Sequence, residues 1–318
     1  MENKKRLIII DGNSIIHRAY HALPPLTTKN GEIVGAVYGF LLFFLRSVKE
    51  FQPDFIVACF DFPAPTFRHE KYKTYKSKRP PTPKDLIQQI SKIKEVLKNF
   101  NVAVFEKKGF EADDLIGTIA RLVPKKQILP KIETIILSGD SDVLQLIDDW
   151  TSAYILKKGI KDTILYKVET VQEKYQGLLP TQLLDFKALR GDPSDNIPGV
   201  TGVGEKTAIN LILKFNNLEN LYQEIEKGVS GQWSKKISQK LKDLLLRYKE
   251  QAFISKFLAQ IDKNVEIDFN LKNYDWHDGY NKVKAVETLK ELEFFSLIKR
   301  LDELDGQAKK IEKNLRLW

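Results

Sequence analysis

The sequence predicts an α/β fold, in which helices flank a parallel sheet, followed by a mainly helical C-terminal part. Three continuous apolar runs, which begin at Arg6, Phe55 and Thr134, are typical of buried parallel strands. Two helix-like segments, Gly35–Phe51 and Lys84–Phe100, lie between these runs. Because strand and helix patterns alternate along the chain, they indicate a doubly wound α/β domain.

Each predicted strand ends in a carboxylate. RLIII is followed by Asp11, FIVACF by Asp61, and TIILSG by Asp140 and Asp142. A simple Asp-Gly turn would by itself explain Asp11. Since open α/β sheets bind ligands beyond the carboxyl ends of their strands, three acidic strand ends predict one shared acidic cleft.

The predicted helices follow from apolar periodicity. Gly35–Phe51 indicates a buried helix, and Lys84–Phe100 indicates an amphipathic one. The apolar face of the second helix would contain Leu86, Ile87, Ile90, Ile93, Leu97 and Phe100. The C-terminal part is expected to form helices at Leu218–Glu226, Trp233–Ala259 and Ala285–Leu304, with a short extended segment at Val265–Leu271.

A group of three carboxylates opens the helix pattern DLIGTIARLV: Glu111, Asp113 and Asp114. Acidic residues at a helix N-terminus are stabilised by the helix dipole, which is one explanation for them. However, Glu111 and Asp114 share a helix face, and the three groups repel one another unless cations neutralise them. Because the group contains no His or Cys, its oxygen ligands favour Mg²⁺ or Mn²⁺ over zinc.

The stretch RGDPSDNIPGVTGVGEKT combines two carboxylates, Asp192 and Asp195, with a glycine hairpin, GVTGVGEKT. An ordinary loop would also explain the two carboxylates. The hairpin is not a nucleotide P-loop, because Glu205 separates Gly204 from Lys206. Helix-like runs precede and follow it, so a helix–hairpin–helix whose backbone amides grip a phosphate fits better.

The candidate metal ligands therefore form an acidic set: Asp11, Asp61, Glu111, Asp113, Asp114, Asp140, Asp142, Asp192 and Asp195. A single magnesium ion usually takes only one or two carboxylates directly. A set of this size suits two metal ions about 3.5–4 Å apart, with some ligands acting through water.

The basic segment, Phe67–Pro83, follows the second acidic strand end. Its cations alternate with tyrosines: Arg68, Lys71, Tyr72, Lys73, Tyr75, Lys76, Lys78 and Arg79. A solvated charged loop is the simpler interpretation of such a run. We favour contact with nucleic acid, because interleaved cations and rings suit backbone neutralisation together with base stacking.

The composition is compatible with a polyanion-binding protein. Lys and Arg number 51 against 42 Asp and Glu, which gives a net charge of +9. Cys59 lies inside FIVACF, where we expect a buried thiol without a disulfide or metal-binding role. We see neither a signal peptide nor a membrane-spanning run, so the expected location is the cytoplasm.

Five motifs, in combination and in order, resemble the 5′-nuclease domain of the bacterial DNA polymerase I family, within the flap endonuclease and 5′→3′ exonuclease group. They are IIIDGNSIIHRAYHALP, ACFDFPAPTFRHEKYKTYKSKRPP, GFEADDLIGTIA, ILSGDSDVLQLI and RGDPSDNIPGVTGVGEKTA. The similarity extends from Arg6 to Leu301, where the longer polymerases continue, and we expect no polymerase domain here. The resemblance implies a PIN-like or resolvase-like catalytic domain at 5–168 with a basic helical arch around 67–83. It further implies a helix–hairpin–helix DNA-binding region at 169–270 and a helical tail at 271–318.

The same resemblance implies roles for the acidic residues. The first metal group would comprise Asp11, Asp61, Glu111, Asp113 and Asp140, with Asp114 close by. The second would comprise Asp142, Asp192 and Asp195, with Asp140 shared. The expected cofactors are two divalent ions, Mg²⁺ or Mn²⁺, and K⁺ at the helix–hairpin–helix. The K⁺ ligands would be the backbone carbonyls of Leu189, Arg190, Pro198, Val200 and Val203.

The resemblance also implies DNA contacts. Lys76 and Arg79 match the basic pair that guides a single-stranded 5′ arm and polarises the scissile phosphate, and we count both as catalytic. The full set of expected DNA contacts is Arg68, Lys73, Tyr75, Lys76, Arg79, Gly202, Val203, Gly204, Glu205, Lys206 and Thr207.

The function that follows is a structure-specific, metal-dependent 5′ nuclease of DNA replication and repair. Its partners would be DNA with a 5′ flap, a nick or a 5′-ended duplex, including RNA–DNA primer ends, and it would act as a monomer. Two alternatives stay open at this point: a non-catalytic DNA-junction binding module, and a PIN-like RNase, which shares an acidic α/β cleft.

Overall fold

The computed structural model describes residues 4–123, 131–227 and 237–304. Its central sheet has the strand order β3-β2-β1-β4-β5-β6. The strands are β1 (Lys5–Asp11), β2 (Phe55–Cys59), β3 (Ala103–Phe105), β4 (Ile132–Ser138), β5 (Thr151–Leu156) and β6 (Thr163–Tyr166). Neighbouring strands are parallel except β6, which pairs antiparallel with β5 at one edge. The predicted α/β fold with a parallel sheet is thus confirmed, with one antiparallel strand added.

Helices cover both faces of this sheet. In the N-terminal half they are α1 (Gly12–Ala22), α2 (Gly35–Phe51), α3 (Phe67–Lys71), α4 (Lys84–Asn99), α5 (Ala112–Leu122) and α6 (Val168–Lys174). The C-terminal part contains α7 (Leu183–Arg190), α8 (Glu205–Phe215), α9 (Leu218–Glu226), α10 (Gln239–Arg247), α11 (Lys249–Ala259), α12 (Trp276–Gly279) and α13 (Lys282–Glu291). Residues 295–304 are helical as well.

The alternation of side chains along the strands divides the core into two halves. Ile8 and Ile10 of β1 point to the face covered by α1, α2, α4 and α13. Leu7 and Ile9 point to the other face, which is covered by the helices from α5 to α11. Because both sides of the sheet are buried, the strands are continuous apolar runs rather than alternating ones.

One residue that was predicted to lie on the buried apolar face of α4 is exposed instead. Leu86, Ile93 and Leu97 are fully buried, but Ile87 is 51% exposed, contrary to our prediction. A polar side chain takes a core position instead, because the Gln89 side-chain oxygen accepts a hydrogen bond of 2.8 Å from the backbone amide of Ala36. This hydrogen bond provides an acceptor for a backbone amide in the first turn of α2. Apolar periodicity in the sequence cannot reveal such a role for Gln89.

Two long helices of the prediction are interrupted. The part of Trp233–Ala259 that the structure describes forms α10 and α11, which meet at Tyr248. The segment Ala285–Leu304 is broken after α13, where Glu293 has a φ of 59°. Val265–Leu271 was predicted as an extended segment, and it joins no strand of the described sheet.

From Trp276 to Leu304, the buried side chains pack against the sheet face covered by α2 and α4. The Trp276 indole donates a hydrogen bond of 2.9 Å to the backbone oxygen of Phe100, and Asp275 forms an isolated bridge with Phe55 of β2. The remainder of the predicted tail, 305–318, lies outside the described residues. Among the described helices, none combines the length and apolar character that a membrane crossing requires.

Candidate active site

The predicted acidic cleft lies at the carboxyl ends of β1, β2 and β4, which are neighbours in the sheet. The chain order reverses between β1 and β4, and ligands of open α/β sheets bind at such a reversal. The cleft has a volume of about 1320 Å³. Of the predicted acids, those that line it are Asp11, Asp61, Glu111, Asp113, Asp140, Asp142 and Asp195.

Two serines hold the ends of β1 and β4 together. The Ser138 hydroxyl donates to a carboxylate oxygen of Asp11 at 2.6 Å and accepts from the backbone amide of Asp140 at 2.9 Å. The Ser14 amide donates to the second carboxylate oxygen of Asp11 at 3.1 Å. Ser14 and Ser138 were missed in the sequence, although both lie within the motifs DGNS and SGDS that carry the acids.

The turn that carries Asp140 is packed tightly against α1. A Cβ atom added at Gly139 would lie 2.9 Å from the backbone oxygen of Ser14 and 2.6 Å from the Arg18 side chain. The Arg18 guanidinium donates hydrogen bonds of 3.1 and 2.9 Å to the Gly139 carbonyl. Glycine is therefore required here for close approach, which fixes Asp140 beside Asp11.

Several cleft carboxylates are short of positive charge. Burial raises the pKa of Asp140 to about 7, and the neighbouring charge of Asp142 adds to this effect. Burial also raises the pKa of Asp113 well above its usual range, followed by repulsion from Asp11 and Asp140. Buried carboxylates that repel one another and offer only oxygen ligands fit hard divalent cations such as Mg²⁺.

Other acids of the set are paired with cations of the chain. Lys187 forms ion pairs with Asp142 and, at 2.9 Å, with Asp192. Although burial opposes it, Lys187 lowers the pKa of Asp192 to about 2. Asp192 thus sits behind Lys187 and does not line the cleft.

The basic segment supplies further cations. Lys76 lies 2.9 Å from Glu111, and Arg79 is hydrogen-bonded to Asp195. The carboxylates of Glu111 and Asp195 are thus directed at an ammonium and a guanidinium group. Among the described residues, no group of three Asp, Glu, His or Cys side chains is arranged to bind one metal ion. The carboxylates have the chemistry of metal ligands, but in this structure several of them adopt side-chain conformations that form ion pairs with Lys and Arg.

Asp114 has a different role from the one predicted. It is fully buried, and its two carboxylate oxygens accept hydrogen bonds of 2.7 and 2.8 Å from the guanidinium of Arg68. Both oxygens are used again, by the backbone amides of Glu111 at 3.0 Å and Asp262 at 2.8 Å. Asp114 is therefore a positioning residue for Glu111 rather than a metal ligand.

Arg68 is likewise not available to DNA. Its side chain is only 2% exposed, and beyond Asp114 it donates to the backbone oxygens of Leu258 at 3.0 Å and Gln260 at 2.6 Å. Arg68 thus joins the start of the basic segment to α5 and to the end of α11, and its predicted DNA contact is wrong.

We expect Asp114→Asn to destabilise the fold by about 3–5 kcal/mol, because the buried Arg68 loses its bidentate carboxylate and keeps only Glu111, at 3.5 Å, as an acidic neighbour. Urea unfolding in EDTA measures this. Asp113→Asn is the matched control, since it removes one charge from a mutually repulsive group and should leave stability unchanged or higher. Equal, small effects of the two substitutions would contradict a structural role for Asp114.

The tyrosines of the basic segment face inward. Tyr75 is 3% exposed and its hydroxyl donates to Glu111 at 3.2 Å, so it has no free face for a base, contrary to our prediction. Tyr72 packs with it in a small cluster that includes Ile197 and Leu258. Lys73 is exposed, as a DNA contact would be. The alternation of tyrosines and cations in the basic segment therefore gives it one side that packs against the protein and one side that carries positive charge.

The basic segment is docked on the loop that carries Asp192 and Asp195. The backbone amide of Lys76 donates to the Asp195 carbonyl at 2.9 Å, and the Asn196 side chain donates to the Thr74 carbonyl at 2.7 Å. The segment thereby forms one wall of the cleft, with Lys76 and Arg79 among the lining residues.

The glycine hairpin, Gly199–Thr207, connects α7 and α8. Gly199 has a φ of +61°, and a Cβ there would lie 2.3 Å from the backbone nitrogen of Gly191, so the loop closes only with glycine. Gly204 caps α8 without a side-chain acceptor, and nothing lies within 4 Å of its Cβ position. The first amides of α8 therefore have no side-chain cap from Gly204, and the neighbouring Glu205 and Lys206 are exposed.

Two family models match the chain. The first, described as 5′-3′ exonuclease, N-terminal resolvase-like domain, covers residues 6–176. The second, described as 5′-3′ exonuclease, C-terminal SAM fold, covers residues 178–282. Together they cover the sheet, the acidic cleft and the glycine hairpin.

Curated relatives include two bacterial polymerases. DNA polymerase I of Bacillus subtilis is 40% identical over 308 residues, which are 97% of this chain and 33% of that protein. The thermostable DNA polymerase I of Thermus thermophilus is 38% identical over 307 residues, which are 96% of this chain and 34% of that protein. The chain thus spans about a third of the length of these relatives.

Solved structures share the fold at low identity. The T5 D15 protein, co-crystallised with metal ions, has a TM-score of 0.65 and 19% identity, with 91% of this chain and 98% of that chain covered. The catalytic core of Rad2 in complex with DNA substrate has a TM-score of 0.59 and 17% identity, with 95% of this chain and 92% of that chain covered. At such identities the likeness concerns the fold.

Proposed function

Because this chain belongs to the 5′-3′ exonuclease family, we propose that it is a structure-specific 5′ nuclease that hydrolyses phosphodiesters at 5′ flaps and 5′ ends of duplex DNA. The observation that carries the proposal is the cleft itself. Carboxylates from three strand ends, from the start of α5 and from the loop after α7 converge there, and a cationic wall containing Lys76 and Arg79 faces them. Acids for metal ions beside cations for phosphate are what phosphodiester hydrolysis needs.

The cofactors of the proposal are two divalent ions, Mg²⁺ or Mn²⁺. When bound, such ions supply an activated water and stabilise the leaving oxygen. Asp11, Asp61, Glu111, Asp113 and Asp140 would hold one ion, and Asp142, Asp192 and Asp195, with Asp140 shared, the other. Lys187, Lys76 and Arg79 would have to give up their ion pairs as the ions bind.

The duplex would lie along the glycine hairpin. The backbone amides at the start of α8, which no side chain caps, can donate hydrogen bonds to a phosphate oxygen, and Lys206 adds positive charge there. The loop also brings the Leu189 and Val200 backbones together through a hydrogen bond of 2.7 Å. We keep K⁺ in the proposal at this point, held by the carbonyls of Leu189, Arg190, Pro198, Val200 and Val203.

The structural neighbours agree with this substrate class. T5 D15 flap endonuclease has been solved as a pseudo-enzyme-product complex with DNA and metal ions, and Rad2 with a DNA substrate. By analogy we place this protein in primer and flap removal during DNA replication and repair, as a monomer in the cytoplasm.

Cleavage of matched DNA and RNA flaps, with and without Mg²⁺, tests the proposal. Mg²⁺-dependent cutting of the DNA flap near its junction supports it. Tight binding without cutting would instead identify a junction-binding module, and preferential cutting of RNA would identify a PIN-like RNase.

We expect Gly204→Val to weaken duplex binding by about tenfold through loss of one charge-assisted phosphate contact. Gly204 has a φ of −86°, which any residue can adopt, and no atom lies within 4 Å of its Cβ position. The substitution should therefore leave the fold intact. A salt titration should also show a shallower slope, since fewer phosphates are contacted.

Asn210→Val is the matched control, because it places the same side chain on an exposed site of α8 where the amides are already bonded within the helix. If Gly204→Val and Asn210→Val gave the same binding isotherms, the hairpin would be only an element of the fold.

A further inference from the structure

Helix α11 contacts the glycine hairpin with its first half and the acidic cleft with its last turn. Gln251 and Ser255 are hydrogen-bonded to Gly199, the first residue of the hairpin. Leu258 and Ala259, at the other end of the helix, line the cleft. Because an α-helix rises 1.5 Å per residue, about 12 Å of rigid helix separates the two contacts. The proposed chemistry gives this helix no role.

Both polar backbone groups of Gly199 are held by α11. The Gly199 amide donates a hydrogen bond of 3.0 Å to the Ser255 hydroxyl, which itself donates to the Gln251 carbonyl at 2.8 Å. The Gln251 side chain donates to the Gly199 carbonyl at 2.6 Å. Since one helix bonds to the residue on both sides, Gly199 cannot shift or rotate without breaking a bond to α11.

The helix itself does not explain Ser255. Serine forms helices less readily than alanine, because its hydroxyl competes for backbone hydrogen bonds. The Ser255 side chain is also fully buried, where a hydroxyl costs free energy unless it is hydrogen-bonded. Its oxygen is the acceptor for the Gly199 amide, so the serine is explained by the hairpin.

The far end of α11 is bonded to the cleft and to the basic segment. Arg68 of the basic segment donates to the Leu258 carbonyl at 3.0 Å. Gln145 donates to the Ala259 carbonyl at 3.1 Å, and it belongs to the short helical turn that begins at Asp142. Hydrogen bonds therefore run from the hairpin, through one helix, to the wall of the cleft and to the turn that carries its acids.

Such a connection determines a distance on the DNA. A duplex is stiff, so a duplex that is held at the hairpin presents to the cleft the phosphodiester that lies at one fixed distance from the hairpin. Successive phosphates of a strand are about 3.4 Å apart along the helix axis. A shift of the hairpin by a few ångströms would therefore bring a neighbouring bond to the acids.

We propose that Gln251 and Ser255 are positioning residues: they fix the glycine hairpin relative to the acidic cleft through α11, and so determine which phosphodiester is cut. This inference rests on the proposed function. Neither residue lines the cleft, and both act through Gly199.

The test maps the cut positions on one 5′ flap in a single turnover with Mg²⁺. Gln251→Met and Ser255→Ala each remove one hydrogen bond to Gly199. Each should lower the ratio of the main cut to cuts at adjacent bonds by about fivefold, as expected for one net hydrogen bond. Because this ratio does not depend on how much of the protein is folded, it separates positioning from a loss of stability.

Gln223→Met is the matched control, since it makes the same change at an exposed site of α9. It should leave the cut positions unchanged. If Gln251→Met and Ser255→Ala only slowed cutting and left its positions unchanged, their bonds to Gly199 would serve the stability of the loop alone, and the proposal would be overturned.

Hydroxyl-radical footprints of the bound flap without Mg²⁺ give a second measurement that needs no cutting. The edge of the protected duplex should be sharp with the unaltered protein, and it should spread by roughly one nucleotide with either variant. An equally sharp edge in all three proteins would also contradict the proposal. If the unaltered protein cut no flap, the proposed function would fail, while the footprints would still decide whether these two residues position the duplex.

Discussion

Replacing Asp140 with alanine is expected to reduce cutting of a 5′ flap by about a thousandfold or more, while DNA binding stays intact. Asp140 follows β4 by two residues and is held by the Ser138 hydroxyl at 2.9 Å. Its oxygen accepts from the Asp142 amide at 3.0 Å, and its pKa is raised by burial and then by Asp142 and Asp11. Asp140 therefore connects the two predicted metal groups.

Binding should be retained for an electrostatic reason. The carboxylates of Asp113 and Asp140 repel each other and their acidic neighbours, and a phosphate must enter beside them. Removing one central carboxylate lowers that repulsion, so affinity for DNA in EDTA should stay equal or rise. Loss of cutting together with loss of binding would indicate a damaged fold instead.

Single-turnover cutting and fluorescence anisotropy on one flap measure the two effects. Asp149→Ala is the control, because Asp149 is exposed, lies on the same connection after β4 and does not line the cleft. Normal Mg²⁺-dependent turnover of Asp140→Ala would remove Asp140 from the site.

The strands and their acids were predictable because their signals are local. A strand buried on both faces is a continuous apolar run, and the residue after it marks the edge where ligands bind. Asp11, Asp61 and Asp140 lie there as predicted. To predict that these three acids lie close together, only the order of the strands in the sheet is needed. The alternation of strands and helices along the chain largely determines that order.

The roles of Arg68, Tyr75 and Asp114 were not predictable because they depend on distant partners. Arg68 and Asp114 are 46 residues apart, and Arg68 also reaches carbonyls about 190 residues away. A run of cations shows how much charge a segment carries, but not which cation turns inward. The same holds for α4, where Ile87 is 51% exposed although apolar periodicity predicts it to be buried, while the polar Gln89 is buried through its bond with Ala36.

Lys76 and Arg79 show what the inward anchoring achieves. With Tyr72 and Tyr75 packed against Ile197 and Leu258, the segment is held so that its cations enter the cleft. Lys76 adopts a φ of 53°, a conformation that non-glycine residues rarely take and that its contacts must compensate. Its ammonium lies 2.9 Å from Glu111 and 3.9 Å from Asp195, which places it among the acids of the cleft.

We therefore expect Lys76→Ala and Arg79→Ala each to lower the single-turnover rate by about a hundredfold, with little change in duplex affinity. A cation beside the reacting phosphate stabilises charge that develops only during the reaction, whereas in the proposed function the glycine hairpin holds the duplex. Lys78→Ala is the matched control, since Lys78 lies between the two, is exposed and does not line the cleft. Saturating Mg²⁺ separates this effect from altered metal binding at Glu111.

If the basic segment forms an arch around a single-stranded arm, it must also select by access. A free 5′ end can enter such an arch, whereas a bulky folded end cannot. We expect a plain 5′ flap to be cut efficiently, and a flap whose 5′ end carries a large folded adduct before the enzyme is added to be cut about a hundredfold more slowly. Adding the block after the enzyme has bound should restore cutting, because the arm has already entered. Equal rates for free and pre-blocked flaps would show that the arm is held at the surface, with Lys76 and Arg79 acting on the phosphate from one side only.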